Sequence, residues 1–110
     1  MRVRSFEMVG ADLRQLHDYL MGVGGFTFRA GGDRFFVLVG ERFIAATASR
    51  TANMMIVQSE ADVVSIDAIS AGGPGTESPE PSASEMWFLR RASDLITAFA
   101  ERHDHELVSL

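Results

Sequence analysis

The fold is decided by residues 54–70, which have the sequence MMIVQSEADVVSIDAIS. Met54 to Ser59 is a mostly apolar run of strand length, and Val63 to Ser70 is a second run that alternates with a period of two. In the second run Val64, Ile66 and Ala68 face one way, and Ser65 and Asp67 face the other. Only Glu60-Ala61-Asp62 separates the runs, and a connection this short joins antiparallel neighbours. The stretch therefore predicts an antiparallel hairpin.

Further strands are predicted on the N-terminal side of this hairpin. An alternating segment, Arg2 to Val9, predicts the first strand and ends at Gly10. The middle of the chain predicts strands at Phe26 to Ala30, Arg34 to Val39 and Phe43 to Ser49. We expect turns between them at Gly31-Gly32-Asp33, Gly40-Glu41-Arg42 and Arg50-Thr51-Ala52-Asn53.

Two helices are predicted from a period near 3.6. Asp12 is a suitable N-cap for the first, whose apolar face is Leu13, Leu16, Leu20 and Val23. Ser82 and Glu85 form a capping-box pattern for a helix from about Ala83 to His103. The apolar positions of this second helix form a wide stripe: Trp87, Phe88, Leu89, Ala92, Leu95, Ile96, Phe99 and Ala100.

The order of these elements predicts one α+β domain over residues 1–110. We expect a curved antiparallel sheet of five to six strands with a short N-terminal and a long C-terminal helix packed on one face. This outline resembles a reduced helix-grip domain. A ferredoxin-like layout is the rival, but it needs a helix between later strands, and the sequence predicts none there. Residues 71–84 contain all three prolines and are predicted to form a flexible Gly/Pro/Ser loop within the domain.

Three segments between residues 37 and 73 resemble a family of small bacterial domains of unknown function. They are VLVGERF at 37–43, RTANMMIV at 50–57 and AISAGG at 68–73. The resemblance implies a similar fold and a bacterial or archaeal source, and it carries no activity or site. After Gly73 the chain departs from the family, which continues with an aromatic strand.

Composition excludes several classes of function. The 110 residues include no cysteine, so disulfides, thiolate metal sites and a cysteine nucleophile are excluded. The net charge of −5 and the scattered arginines argue against nucleic-acid binding, which needs a basic face. No apolar run approaches the ~20 residues of a membrane span, and no signal-peptide pattern follows Met1. We therefore expect a cytoplasmic protein with no membrane or nucleic-acid partner.

Two patterns resemble binding motifs but fit simpler interpretations. Gly72-Gly73-Pro74-Gly75 follows a strand, yet it lacks the Lys-Ser/Thr ending of a phosphate loop and no helix begins directly after it. His103-Asp104-His105 could contribute two metal ligands, but His17 is the only other imidazole in the chain. We expect a strand exit at the first pattern and a solvated helix end at the second, and hence no metal and no cofactor.

No set of residues in the sequence predicts a catalytic site. His17 and Asp18 lie on the first helix without a Gly-x-Ser-x-Gly nucleophile elbow elsewhere in the chain. Glu7, Glu41 and Asp67 are the carboxylates expected on the sheet, and acid/base chemistry would need two of them to converge in one pocket. Solvent-facing strand charges are the simpler interpretation, so no catalytic residue is predicted.

Methionine and phenylalanine are abundant in the predicted strands and helices. They fit a plain core, and a cavity lined by such adaptable side chains is the alternative. If a cavity exists between the sheet and the C-terminal helix, we expect its ligand-binding residues to be Phe28, Phe36, Met55, Trp87 and Phe88.

Three functions remain open at this point. The first is a non-enzymatic interaction module that forms a homodimer or binds a protein partner through the exposed side of the sheet or its edge. The second is a carrier or sensor of a small apolar ligand held beneath the long helix. The third is an enzyme with an acid/base site that the sequence does not reveal.

Overall fold

The computed structural model describes residues 1–44, 49–72 and 83–110. Within these ranges the chain forms six strands and two helices. In chain order they are β1 (Arg2–Val9), α1 (Leu13–Val23), β2 (Phe28–Gly31), β3 (Phe35–Ile44), β4 (Ser49–Glu60), β5 (Val63–Gly72), α2 (Ala83–Arg102) and β6 (Glu106–Ser109). The predicted flexible loop overlaps the end of β5 and the start of α2, and its residues 73–82 lie outside the described residues.

All six strands belong to one open sheet with the order β2-β3-β4-β5-β1-β6, and every neighbouring pair is antiparallel. The predicted hairpin forms the centre, where Glu60 of β4 pairs with Val63 of β5. The α+β class, the antiparallel sheet and the two helices are confirmed. Neither described helix is long and apolar enough to cross a membrane.

Both helices cover the same face of the sheet, which we call the inner face. Alternate residues of the strands point towards them and are buried in one cluster with side chains of α1 and α2. The core contains Phe6, Met8, Leu16, Leu20, Phe26, Phe36, Leu38, Met55, Val57, Val64, Ile66, Ala68, Phe88, Leu89, Ala92, Leu95, Ile96, Phe99 and Ala100. The plain core expected from the apolar composition is therefore present.

The predicted N-cap of α1 and most of the predicted buried positions on both helices are confirmed. The Asp12 carboxylate caps α1 by accepting a hydrogen bond from the Gln15 backbone N–H at 2.9 Å. Leu16 and Leu20 are fully buried, whereas Val23 at the end of α1 is exposed. On α2 only Trp87 of the predicted stripe is exposed. Ser82 of the predicted capping box lies outside the described residues.

The predicted turn at Gly40-Glu41-Arg42 is wrong, and so is the predicted turn at residues 50–53. Strand β3 continues through the first segment, and Gly40, Glu41 and Arg42 pair in register with Asn53, Ala52 and Thr51 of β4. A glycine within a strand commonly marks a close approach of another backbone. A Cβ at Gly40 would lie 3.3 Å from the Gly25 carbonyl oxygen, because the segment after α1 crosses β3 there. Of the predicted strand Phe43 to Ser49, Phe43 and Ile44 belong to β3 and Ser49 belongs to β4, and residues 45–48 lie outside the described residues.

The C-terminal segment also differs from the prediction of a solvated end. Helix α2 ends at Arg102, close to its predicted limit, and the chain then forms β6 beside β1. Leu107 of β6 pairs with Met8 and packs partly against the core. Four residues are too few for a periodic pattern to be distinguished from a frayed helix end.

Candidate functional sites

The outer face of the sheet, which neither helix covers, carries a continuous row of apolar side chains. The register places Phe28 beside Val39, Val39 beside Met54, Met54 beside Ile69, and Ile69 beside Val3. The row therefore crosses five of the six strands, although its members are scattered between residues 3 and 69. The solvent side of an antiparallel sheet is normally polar.

Neighbouring outward positions widen this row into a patch. Val37 and Ile56 form a second pair on β3 and β4, and Phe35 extends the patch along β3. Phe28 is 59% exposed and Phe35 is 49% exposed, which is unusual for phenylalanine. We call this surface the outer patch, and it consists of Val3, Phe28, Phe35, Val37, Val39, Met54, Ile56 and Ile69.

Polar residues border the outer patch. Glu41 and Gln58 lie on its two sides along β3 and β4. On β5, Asp67 accepts a hydrogen bond from the Ser5 hydroxyl at 2.6 Å, which connects β5 to β1. Glu7 pairs with Ser65 farther along the same two strands. An apolar centre with a polar rim is the usual anatomy of a protein interface.

On the other side of the sheet, a cavity of about 280 Å³ lies between β3, β4 and α2. The segment that follows α1 forms one wall, and α2 forms the opposite wall. The lining residues are Gly24, Gly25, Phe26, Gly40, Glu41, Asn53, Trp87, Phe88, Arg91 and Leu95. The volume is at the lower end of the range for small-molecule sites.

Asn53 supplies a buried polar group to this cavity. It pairs with Gly40 on β3 and with Ser70 on β5, and it is 6% exposed. The Ser70 hydroxyl donates a hydrogen bond of 2.8 Å to the Asn53 carbonyl oxygen Oδ1. The Asn53 side chain therefore links β4 to β5 beside the cavity.

Arg91 of α2 contributes a positive charge to the lining, whereas the charged side chain of Glu41 lies on the rim of the outer patch. The Arg91 guanidinium also donates a hydrogen bond of 3.2 Å to the Val23 carbonyl oxygen at the end of α1. This contact anchors α2 to the segment that forms the facing wall.

The five predicted ligand-binding residues do not converge on one site. Trp87 and Phe88 line the cavity, as the hypothesis of a site beneath α2 requires. Phe28 lies on the outer face, whereas Phe36 and Met55 are enclosed in the core. Three residues that line the cavity were not predicted as binding residues from the sequence, namely Gly40, Asn53 and Arg91. One of them could have been found from the sequence. Asn53 is a polar residue at the same alternation phase as Met55 and Val57, which predicts that its side chain faces the core.

His17 lies beside a second cavity, of about 360 Å³, lined by Leu13, Arg14, His17, Arg29, Gly32, Asp33 and Phe36. Its Nδ1 is 2.9 Å from Asp18 Oδ1, and its ring meets the edge of Phe36 at 5.1 Å between centroids. None of these described lining residues is a serine or threonine that could act as a nucleophile beside the imidazole. The arrangement fits a boundary histidine of α1.

The two C-terminal histidines pack against an aromatic ring. The His103 ring lies 4.4 Å from that of Phe99, and the His105 ring lies 6.1 Å from it. In the ranges that the structure describes, no group of three or more His, Asp or Glu side chains is placed to hold a metal ion.

Comparison of the chain with protein-family models, with curated proteins and with solved structures finds no match.

Proposed function

We propose that this chain is a non-enzymatic interaction module that forms a homodimer by packing two outer patches face to face. The observation that carries the proposal is the apolar row from Phe28 to Val3 across five strands. A contiguous exposed apolar surface with a polar rim is characteristic of protein-interaction sites.

The size of the surface is consistent with a dimer of modest affinity. With strands about 4.8 Å apart and outward residues about 6.7 Å apart, the patch and its rim cover about 24 Å by 24 Å. Two such faces would bury about 1,200 Å² in total, which is at the lower end for specific complexes. We therefore expect dissociation in the micromolar range.

The shape and chemistry of the surface favour a second copy as the occupant. A twofold dimer needs a surface that is complementary to itself, and an apolar sheet face meets this condition because sheets pack on each other about 10 Å apart. The outward residues of β3 and β4 between Glu41 and Gln58 carry no charge. Two copies can thus meet at this centre while the rim carboxylates remain in solvent.

Replacement of Phe28 by aspartate tests the proposal. Phe28 is 59% exposed in one chain, so Phe28→Asp places a charge in the dimer interface at little cost to the fold. We expect sedimentation velocity from about 1 to about 500 μM to give a concentration-dependent dimer for the unchanged protein and at least about 10-fold weaker association for the variant.

Met86→Asp is the matched control. Met86 is an exposed apolar residue of α2, on the helix side of the sheet, and the variant makes the same change in net charge. We expect it to dimerise like the unchanged protein. A monomer at every concentration, or equal weakening by both variants, would contradict dimerisation through the outer patch.

A further inference from the structure

We infer that the cavity between α1 and the β2–β3 hairpin binds the phosphate group of a small molecule through Arg14 and Arg29. This cavity of about 360 Å³ lies on the helix side of the sheet, so the site is independent of the outer patch. The inference rests on the charge of the lining, on the unpaired state of both arginines and on a buried nitrogen of His17.

The fold brings the two arginines to one cavity from different elements. Arg14 lies in the first turn of α1, and His17, three residues later, lies next to it on the same helix face. Arg29 is paired with Leu38, whose side chain is buried in the core beneath the helices. Because directly paired residues point to the same face of a sheet, Arg29 lies on the side of the sheet that α1 covers.

The lining is positively charged, although the whole chain carries a net charge of −5. Arg14 and Arg29 contribute two positive charges, and Asp33 is the one acidic residue among the described lining residues. Neither guanidinium forms an ion pair or a hydrogen bond within the part of the chain that the structure describes. Their N–H groups are therefore available to an anion, and the first turn of α1 adds the positive end of the helix dipole.

His17 provides a second and independent indication of a polar ligand. Its Nε2 is buried and has no hydrogen-bond partner among the described residues, whereas its Nδ1 lies 2.9 Å from Asp18 Oδ1. A buried polar atom without a partner in the chain points to a partner from outside the chain. The imidazolium form of Nε2 donates to a phosphate oxygen, and the neutral form accepts from a protonated phosphate.

Two guanidinium groups favour a phosphate group over a carboxylate. A carboxylate is satisfied by the fork of one arginine, whereas a phosphate monoester carries close to two negative charges at pH 7 and three strong acceptor oxygens. Leu13 and Phe36 add apolar surface to the lining, and the volume is within the range of small-molecule sites. The occupant is therefore a phosphate ion or a small phosphate ester.

Titrations with inorganic phosphate, phenyl phosphate and benzoate at constant ionic strength and neutral pH test the inference. NMR spectra would follow the backbone amides of Arg14, Arg29 and Asp33 and the ring signals of His17. We expect saturable shifts, a dissociation constant of about 0.1–5 mM for phenyl phosphate, and at least about 5-fold weaker binding of benzoate. Tighter binding of phenyl phosphate than of inorganic phosphate would identify an ester as the occupant. An affinity for inorganic phosphate at least as high would identify the ion, and both results support a phosphate site.

Arg14→Gln and Arg29→Gln each remove one of the two charges from an exposed position, at little cost to the fold. We expect each variant to bind phenyl phosphate at least about 5-fold more weakly. Arg34→Gln is the matched control, because Arg34 is exposed in the same hairpin and lies outside the cavity, beside Ser59 and Glu60. It makes the same change in net charge and should bind like the unchanged protein.

Four results would overturn the inference. They are the absence of saturable shifts at these residues up to about 50 mM of either phosphate probe, affinity for benzoate equal to that for phenyl phosphate, a loss of affinity confined to one of the two cavity arginines, and equal weakening by all three variants. The last result would show a general effect of net charge and no localised site.

Discussion

Ala61 and Asp104 are the two non-glycine residues in the described part of the chain with positive φ angles, 54° and 56°. Asp104 follows α2, where its N–H donates to the Glu101 carbonyl oxygen and the His105 N–H donates to that of Ala100. These two bonds form a Schellman motif, in which aspartate tolerates the left-handed conformation. Ala61 lies in the two-residue turn of the β4–β5 hairpin and has no polar side chain to compensate the strain.

Ala61→Gly is therefore expected to raise the free energy of unfolding by about 0.5–1 kcal/mol, because glycine adopts a positive φ without the steric cost of a Cβ. Chemical denaturation measures the change. Asp62→Gly is the control: its φ is not positive, so glycine adds only conformational freedom to the unfolded chain and should lower the stability by a similar amount. A decrease for Ala61→Gly would show that this residue is not strained.

The residue type of Asn53 predicts a turn, whereas the fold places this residue in the middle of a sheet. Asparagine favours turns, and the preceding Arg50, Thr51 and Ala52 supported a turn prediction. In the folded chain Asn53 is held in a strand because both of its neighbours, Gly40 and Ser70, are strand residues on adjacent strands. Its role in the cavity depends on this pairing. Trp87 and Phe88, by contrast, were predicted as ligand-binding residues from the stripe of α2 and do line the cavity.

At the scale of elements, the formation of strand β6 depends on tertiary contacts. It has four residues, and it is held by the backbone of β1 and by burial of Leu107 beside Met8. Val108, its neighbour in sequence, points to the outer face and is exposed. Leu107 and Val108 are both aliphatic, but Leu107 is partly buried and Val108 is exposed.

Leu107→Asp should lower the free energy of unfolding by about 1–2 kcal/mol, because a charge replaces a half-buried apolar side chain. Val108→Asp should change it by less than about 0.5 kcal/mol, as expected for an exposed position. Thermal and denaturant unfolding of the two variants provide the comparison. Equal losses of stability would mean that β6 does not have the register described.

At the scale of the whole molecule, the two faces of the sheet differ in what covers them. The inner face is covered by α1 and α2, and the outer face has no cover from either helix. The chain carries a net charge of −5, and Glu41 and Asp67 lie on the rim of the outer patch. Two copies that meet through this face must therefore approach against electrostatic repulsion.

The proposed dimer should consequently tighten as salt is added. Raising NaCl from about 50 to about 500 mM shortens the Debye length from about 14 Å to about 4 Å and screens the rim carboxylates. Sedimentation equilibrium should show a dissociation constant several-fold lower at the higher salt concentration. Weaker association at high salt would contradict apolar pairing of like-charged faces and would indicate attraction between opposite charges.

The sequence by itself determined the α+β class, the β4–β5 hairpin, the capped helix α1 and the extent of α2. These features depend on local periodicity, on one capping residue and on a connection too short for any other pairing. Only the tertiary structure decided that β3 passes straight through Gly40, that β6 joins β1, and that Asn53 faces a cavity. It also brought Val3, Phe28 and Ile69 into one outer row, because strand register and the face that the helices cover are set by contacts between residues far apart in the chain.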